Sequence, residues 1–231
     1  MDDFFARSAA LLGEKTMESL RTTRVILFGV GGVGSYAAEA LIRTGLTHLT
    51  LVDGDTVQPS NLNRQLPATR ATLGMPKVEA LKARLLEINP DADIVAIPEY
   101  YHADDPFRFP LSTFNFIIDA IDSVNDKTDL IINATRARVK IFSSMGAALR
   151  FDPTQVTTGE LMAIKGDALA KAVRARMKKL DIHPYKKVRC VYSTEQAQRC
   201  DTRGSLMQVT AVFGLTLASL VIQDLTNQAK L

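Results

Sequence analysis

Residues 25–41 read VILFGVGGVGSYAAEAL, an apolar run that breaks into glycines at 29, 31, 32 and 34 and resumes as an alanine-rich helical stretch. Few local patterns constrain a fold as strongly. An unbroken apolar run reads as a buried strand, the kind found in parallel sheets covered by helices on both faces. Gly29, Gly31 and Gly34 satisfy the G-x-G-x-x-G spacing, in which glycines let backbone N–H groups close on a phosphate at a helix N-terminus. Asp53 follows Gly34 by nineteen residues, at the end of the next strand-like stretch, where a carboxylate can accept from ribose hydroxyls. The turn alone suits NAD, FAD and ATP equally.

The rest of the chain continues the alternation of strand and helix. Strands are expected at 25–29, 46–55, 93–101, 114–123, 140–149 and 186–194. Helices are expected at 4–20, 35–44, 76–89, 129–139, 166–182 and 206–225, with Asn89-Pro90 as a helix stop. The order predicts an α/β fold, a doubly wound, Rossmann-like, mostly parallel sheet. Residues 1–22 form an N-terminal helical arm, 23–150 the nucleotide-binding core, and 151–231 a C-terminal α/β extension of the same domain.

Composition narrows the class. The chain has 231 residues, 46% apolar and 23% charged, which is enough for a real core and typical of soluble globular proteins. Two cysteines build no disulfide framework and no Cys-x-x-Cys pair, so a reducing, cytoplasmic setting and no structural zinc are expected. The acidic start MDD lacks the order of a signal peptide. Val209–Leu225 is very apolar but contains Thr210, Gly214, Gln223 and Asp224, and reads as a core or interface helix rather than a membrane span.

Downstream residues discriminate among nucleotides. VDGDTVQPSNLNRQ, residues 52–65, sets Asp53 and Asp55 two apart and ends in a polar cluster that hydride transfer does not need. Arg64 suits a triphosphate, because its planar fork pairs with phosphate oxygens. Lys77, in the first turn of the helix at 76–89, is a second cation, or else a solvated surface lysine. IIDAIDSVND places Asp119 and Asp122 three apart at a strand's carboxyl end, where ligands of open α/β sheets bind. A carboxylate there can hold Mg²⁺ against phosphates. The alternative for Asp122 or Ser123 is a helix N-cap.

Together, GVGGVGSYAAEAL, LVDGDTVQPSNLNRQ, GMPKVEALKARLLEINP and IIDAIDSV resemble the adenylating domain of the ubiquitin-activating-enzyme superfamily, over residues 7 to 150. The resemblance implies an enzyme that binds ATP and Mg²⁺, adenylates a carboxylate and works as a homodimer. It implies that Gly29, Gly31, Gly32 and Gly34 shape the phosphate turn and that Asp53, with Asp55 beside it, holds the ribose. Asn61, Arg64, Gln65 and Lys77 would engage phosphates, and Asp122, with Ser123 next to it, would carry the metal. Arg7 matches an arginine that reaches the partner subunit's ATP; it joins Arg64, Lys77 and Asp122 as the catalytic set.

Within the superfamily, AAEALIRTGL, IDAIDSVNDK, FDPTQV and VRCVYSTEQ resemble the tRNA-modifying branch. That branch adenylates the threonyl carboxylate of threonylcarbamoyladenosine beside the anticodon, and the tethered carbamoyl group closes a ring with release of AMP. The alternative is activation of a ubiquitin-like sulfur carrier. The resemblance also leaves room for a monovalent cation beside the nucleotide and for a sulfur-transfer protein as partner.

Charge distribution points the same way. The chain's net charge is only +3, yet between Lys165 and Arg189 nine Lys and Arg face two Asp. Lys171, Arg174, Lys178 and Lys179 on the helix at 166–182 are therefore candidates for tRNA backbone contact, or a solvated basic face. Cys190 and Cys200 are candidate nucleophiles if neighbouring Arg189 and Arg199 depress their thiols, and otherwise inert.

Overall fold

The computed structural model describes residues 3–102, 104–105, 108–199, 201–202 and 204–229. In chain order the elements are α1 (Ala6–Leu12), α2 (Glu14–Thr22), β1 (Arg24–Phe28), α3 (Gly34–Thr44), β2 (His48–Val52), α4 (Lys77–Ile88) and β3 (Asp93–Ile97). They continue with β4 (Phe116–Asp119), α5 (Val124–Arg136), β5 (Lys140–Ser144), β6 (Val156–Glu160), α6 (Ala168–Lys179), β7 (Arg189–Ser193) and α7 (Met207–Ala229).

The strands form one sheet in the order β3-β2-β1-β4-β5-β7-β6, parallel throughout except for β6, which runs antiparallel to β7 at the edge. The apolar run of β1 explains itself here. Val25 and Leu27 enter the core layer shared with α2, α3, α4 and α7, while Ile26 and Phe28 enter the opposite layer with α5 and α6. Alternate residues serve opposite faces, so no position from Val25 to Phe28 can be polar. The chain leaves β1 over one face through α3 and leaves β4 over the other through α5, which makes the β1/β4 boundary the topological switch point.

Two glycines hold that boundary together. Gly29 has φ +89°, and a Cβ there would stand 2.6 Å from the Ala120 carbonyl oxygen. A Cβ on Gly34 would stand 1.9 Å from the Gly29 carbonyl oxygen, so α3 begins hard against the strand end. At α3's other side α7 makes a similar approach through Gly214. α7 is long and apolar enough to cross a membrane, yet Val209, Phe213, Leu217 and Val221 are fully buried in the core, as its polar interruptions suggested.

Several expectations are corrected. The helical arm is two helices, broken at Gly13 with φ +78°. α5 begins at Val124, earlier than its apolar pattern suggests, because Ser123 caps it and the first turn is polar. The strands end sooner than expected, since their carboxyl-terminal residues turn out into loops. Strand β6, VTTGE, was not anticipated: it pairs on one side only, is half-exposed, and lacks the apolar content that marks a central strand.

The α3–α7 contact gives a direct test. Gly214→Ala gains about 1 kcal/mol of helix propensity, but its Cβ would sit 2.2 Å from the Val33 carbonyl oxygen and 2.8 Å from Tyr36 Cβ. Overpacking of this kind should lower stability by about 1–3 kcal/mol in urea unfolding. Gly204→Ala, with nothing within 4 Å of its Cβ, should stay within about 0.5 kcal/mol. Equal stability of the two variants would show that α7 does not approach α3 this closely.

Candidate active site

The carboxyl ends of β1, β2 and β4 converge at the switch point and carry most of the residues singled out by sequence. Asp53, just past β2, is tied to the glycine turn: its Oδ2 accepts from the Val30 N–H at 2.6 Å, and its Oδ1 from the Asp55 N–H at 2.8 Å. Burial, the largest influence, pushes the Asp53 carboxyl above its ordinary value, against the backbone bonds and the nearby Lys77 charge. Asp53 therefore does more than was expected of it. Through the Val30 N–H it holds the glycine turn in place.

The segment after Asp53 returns over that turn. The Arg64 stem passes within 3.3 Å of where a Cβ on Gly32 would lie, and Gln65 Nε2 lies 3.7 Å from the corresponding point on Gly31. Arg64 Nη1 donates to the Ser60 carbonyl at 2.9 Å and to Asn63 Oδ1 at 2.8 Å. The Gln65 Oε1 is buried without a partner among the described residues. An unpaired buried acceptor is costly, and this one, beside the glycines, is placed where a ligand could satisfy it.

A cavity of about 260 Å³ opens between Gly54, Asp55, Gln58, Asn61, Lys77 and Tyr100. Asn61 is buried, its Oδ1 accepting from the Gln58 N–H at 3.0 Å. Lys77 is not a surface lysine. It is 5% exposed, and its Nζ donates to Asp55 Oδ2 at 2.6 Å. Tyr100 donates to the other oxygen, Asp55 Oδ1, at 2.5 Å. Burial raises the Asp55 carboxyl, but the bonds from Lys77 and Tyr100 and the Lys77 charge outweigh it and hold the group below its ordinary 3.8. The same bond to Asp55 pushes the Tyr100 phenol up to about 12. Tyr100 went unnoticed in the sequence, although its place just beyond β3 is the same kind of strand-end position that drew attention to Asp53 and Asp122.

At the end of β4 the two carboxylates part company. Asp119 is fully buried and taken up by Lys127, Ser143 and the Ile121 N–H, so it offers nothing to a ligand. Asp122 is exposed and makes no hydrogen bond or ion pair among the described residues. Ser123 is the N-cap of α5, its hydroxyl accepting from the Asp126 N–H at 3.5 Å, which is the capping alternative for that residue. No group of three or more His, Cys, Asp or Glu that could hold a metal occurs among the described residues. Mg²⁺ carried in with a nucleotide needs only one or two carboxylates, the rest of its shell being water and phosphate, and a free Asp122 fits that requirement.

Other candidates lie elsewhere. Arg7 is exposed on α1, and the neighbouring Phe5 rests near Gly45 at the far end of α3 from the glycine turn, a helix of eleven residues away. At 1.5 Å per residue that is about 16 Å, so the chain does not bring Arg7 to its own crevice. Cys190 is fully buried in β7, and burial pushes its thiol up to about 12, which corrects its candidacy as a nucleophile. Cys200 lies outside the described residues. On α6, Lys171, Lys178 and Lys179 are exposed, whereas Arg174 is half-buried and donates to the Leu161 carbonyl at 2.8 Å, so it is spent on the fold.

A glycine turn, a buried lysine and one unpaired aspartate gathered at the switch point of a doubly wound sheet define a nucleotide-binding α/β protein. The ThiF family model matches residues 5–231, and the chain belongs to that family. It is 37% identical to the tRNA threonylcarbamoyladenosine dehydratase of Bacillus subtilis over 83% of this chain and 74% of that protein. The structure matches that of the Escherichia coli tRNA N6-threonylcarbamoyladenosine dehydratase in complex with ATP, with a TM-score of 0.93, 33% identity, and coverage of 98% of this chain and 95% of that one. The AMP complex of the same enzyme matches at 0.92. Salmonella typhimurium molybdopterin-synthase adenylyltransferase is 36% identical, but over only 58% of this chain and 53% of that protein.

The Asp55 pair can be tested directly. Its contribution to stability is present above the unfolded carboxyl's 3.8 and lost as pH falls through the lower folded value. Tyr100→Phe removes one donor, so the ¹³C-carboxyl titration of Asp55 should move up toward 3.8. An unchanged titration would show that the Tyr100–Asp55 bond is not made in solution.

Proposed function

We propose that the chain is an ATP-dependent enzyme that dehydrates N6-threonylcarbamoyladenosine in tRNA to its cyclic form. One observation carries this reading. The likeness to the dehydratases runs through the C-terminal third, whereas the likeness to the sulfur-carrier adenylyltransferase covers only 58% of the chain.

The chemistry asks for what the crevice offers. A threonyl carboxylate oxygen attacks the α-phosphorus of ATP, the α–β phosphoanhydride bond breaks, and pyrophosphate departs. The carbamoyl group then attacks the activated acyl carbon and loses a proton, and AMP leaves with the former carboxylate oxygen. A carboxylate is a poor electrophile, so the first step depends on stabilising charge as it accumulates on the departing phosphates. In this reading the turn at Gly29, Gly31, Gly32 and Gly34 cradles phosphate at the start of α3, where the helix dipole favours an anion. Asp53, on its remaining lone pairs, meets the ribose. Arg64, Lys77, Asn61 and Gln65 face the phosphates, with Lys77 sharing its charge between Asp55 and the ligand. Mg²⁺ at Asp122 would supply further charge neutralisation.

Arg7 fits the same reading only across a dimer. α1 carries Leu11 at 85% exposure, and Phe4 just before it is half-exposed, an apolar arm suited to a second copy of the chain. Arg7 would then complete the partner's crevice. The exposed Lys171, Lys178 and Lys179 would meet the tRNA backbone, and a tRNA substrate suits a cytoplasmic enzyme.

Incubation with ATP, Mg²⁺ and tRNA bearing threonylcarbamoyladenosine, followed by nucleoside mass spectrometry, tests the proposal. The product should be lighter by one water, with one AMP formed per product. Asp122→Ala should slow AMP formation on the order of 100-fold. ATP–pyrophosphate exchange driven by a carrier protein and never by this tRNA would contradict the reading.

A further inference from the structure

We propose that Lys127 is a positioning residue: with Ser143 it locks the Asp119 carboxylate into the floor of the crevice and so presents Asp122 alone, on a fixed turn, to the metal of the bound nucleotide. The proposal rests on the reading that Asp122 meets that metal.

Asp119 and Lys127 are both wholly buried, 0% exposed, in the layer beneath the switch point. Lys127 Nζ donates to Asp119 Oδ2 at 2.6 Å and to Ser143 Oγ at 3.2 Å, and the Ser143 hydroxyl donates to the same Oδ2 at 2.5 Å. Asp119 Oδ1 accepts from the Ile121 N–H at 3.0 Å. One carboxylate thus ties together the end of β4, the first turns of α5, the facing residue of β5 and the turn that leads to Asp122.

Stability is a poor explanation for such a pair. Removing two charges from water costs several kcal/mol per ion, and apolar replacements of similar volume are often as stable. Geometry explains it better. On the β1 side the Ala120 N–H donates to the Phe28 carbonyl at 2.8 Å, and the Ala120 carbonyl sits in the space that a Cβ on Gly29 would need. Lys127 and Ser143 hold the other side. Residues 119–121 therefore have no freedom to shift, and the free end of that clamped turn is Asp122. Electrostatics adds a second reason. Two unpaired carboxylates three residues apart would repel each other and compete for a cation, and Lys127 cancels the charge of one.

The test uses the full chain and reads ATP affinity by calorimetry, with Mg²⁺ and with EDTA, alongside the thermal midpoint. Wild-type protein should bind ATP several-fold more tightly with Mg²⁺. An Asp119→Leu, Lys127→Met, Ser143→Ala triple variant, which leaves no buried charge behind, should unfold near the wild-type midpoint but lose the Mg²⁺-dependent gain, its ratio of affinities falling to about one. A folded triple variant that keeps the wild-type ratio would overturn the proposal. Should the triple variant fail to fold, Ser143→Ala alone decides: a ratio several-fold lower at an unchanged midpoint supports the clamp, and an unchanged ratio refutes it. Asp122→Asn separates the two levels. If that variant keeps the wild-type ratio, the metal reading of Asp122 falls and the positioning role with it; the other failures remove the positioning role alone.

Discussion

The site depends on one close approach, the Ala120 carbonyl oxygen lying 2.6 Å from the point where Gly29 would carry a Cβ. Only a residue without a side chain, free to take φ +89°, lets β4 reach β1 at this spot. From that contact the rest follows in order. The glycine turn folds back so that Gly34 meets the Gly29 carbonyl, α3 starts at the strand end, and Asp53 can pin the turn through the Val30 N–H. The loop that ends at Asp122 lies on the other side of the same contact.

Two buried lysines show how the crevice divides its charges between structure and chemistry. Lys127 is paired with a carboxylate that is itself 0% exposed, so its charge is sealed within the fold. Lys77 is almost as buried, but its partner Asp55 has a side chain 49% exposed and lines the open cavity. An ammonium held by a half-solvated carboxylate can turn part of its hydrogen bonding toward an arriving phosphate, whereas one closed in with Asp119 cannot. Burial on one side and access on the other suit Lys77 to the ligand-binding role proposed for it and Lys127 to a structural one, though both are lysines beside an aspartate.

Much of this could be read in the sequence, because the governing constraints are local or periodic. The uninterrupted VILF of β1 encodes burial on both faces, and the spacing of Gly29, Gly31 and Gly34 encodes the turn. Asn61 to Gln65 stand out as a polar cluster in a loop, and the structure folds Arg64 and Gln65 onto that turn. What escaped depends on contacts between residues far apart in the chain. Tyr100 reaches Asp55 across 45 positions, and Asp119 is distinguished from Asp122 by a Ser143 in the next strand. Arg174 reads as one more surface cation until Leu161's carbonyl is seen to hold it. β6 went unrecognised because an edge strand with one pairing partner carries little of the apolar signal that marks the others.

The most direct measurement is a crystal structure of the chain with Mg²⁺ and an ATP analogue whose α–β bridge cannot be cleaved. The account predicts the triphosphate over residues 29–34, the ribose at Asp53, Arg64 and Lys77 on the phosphates, and the metal at Asp122 with Asp119 still bound to Lys127. A nucleotide seated away from the glycine turn, or a metal coordinated without Asp122, would contradict it.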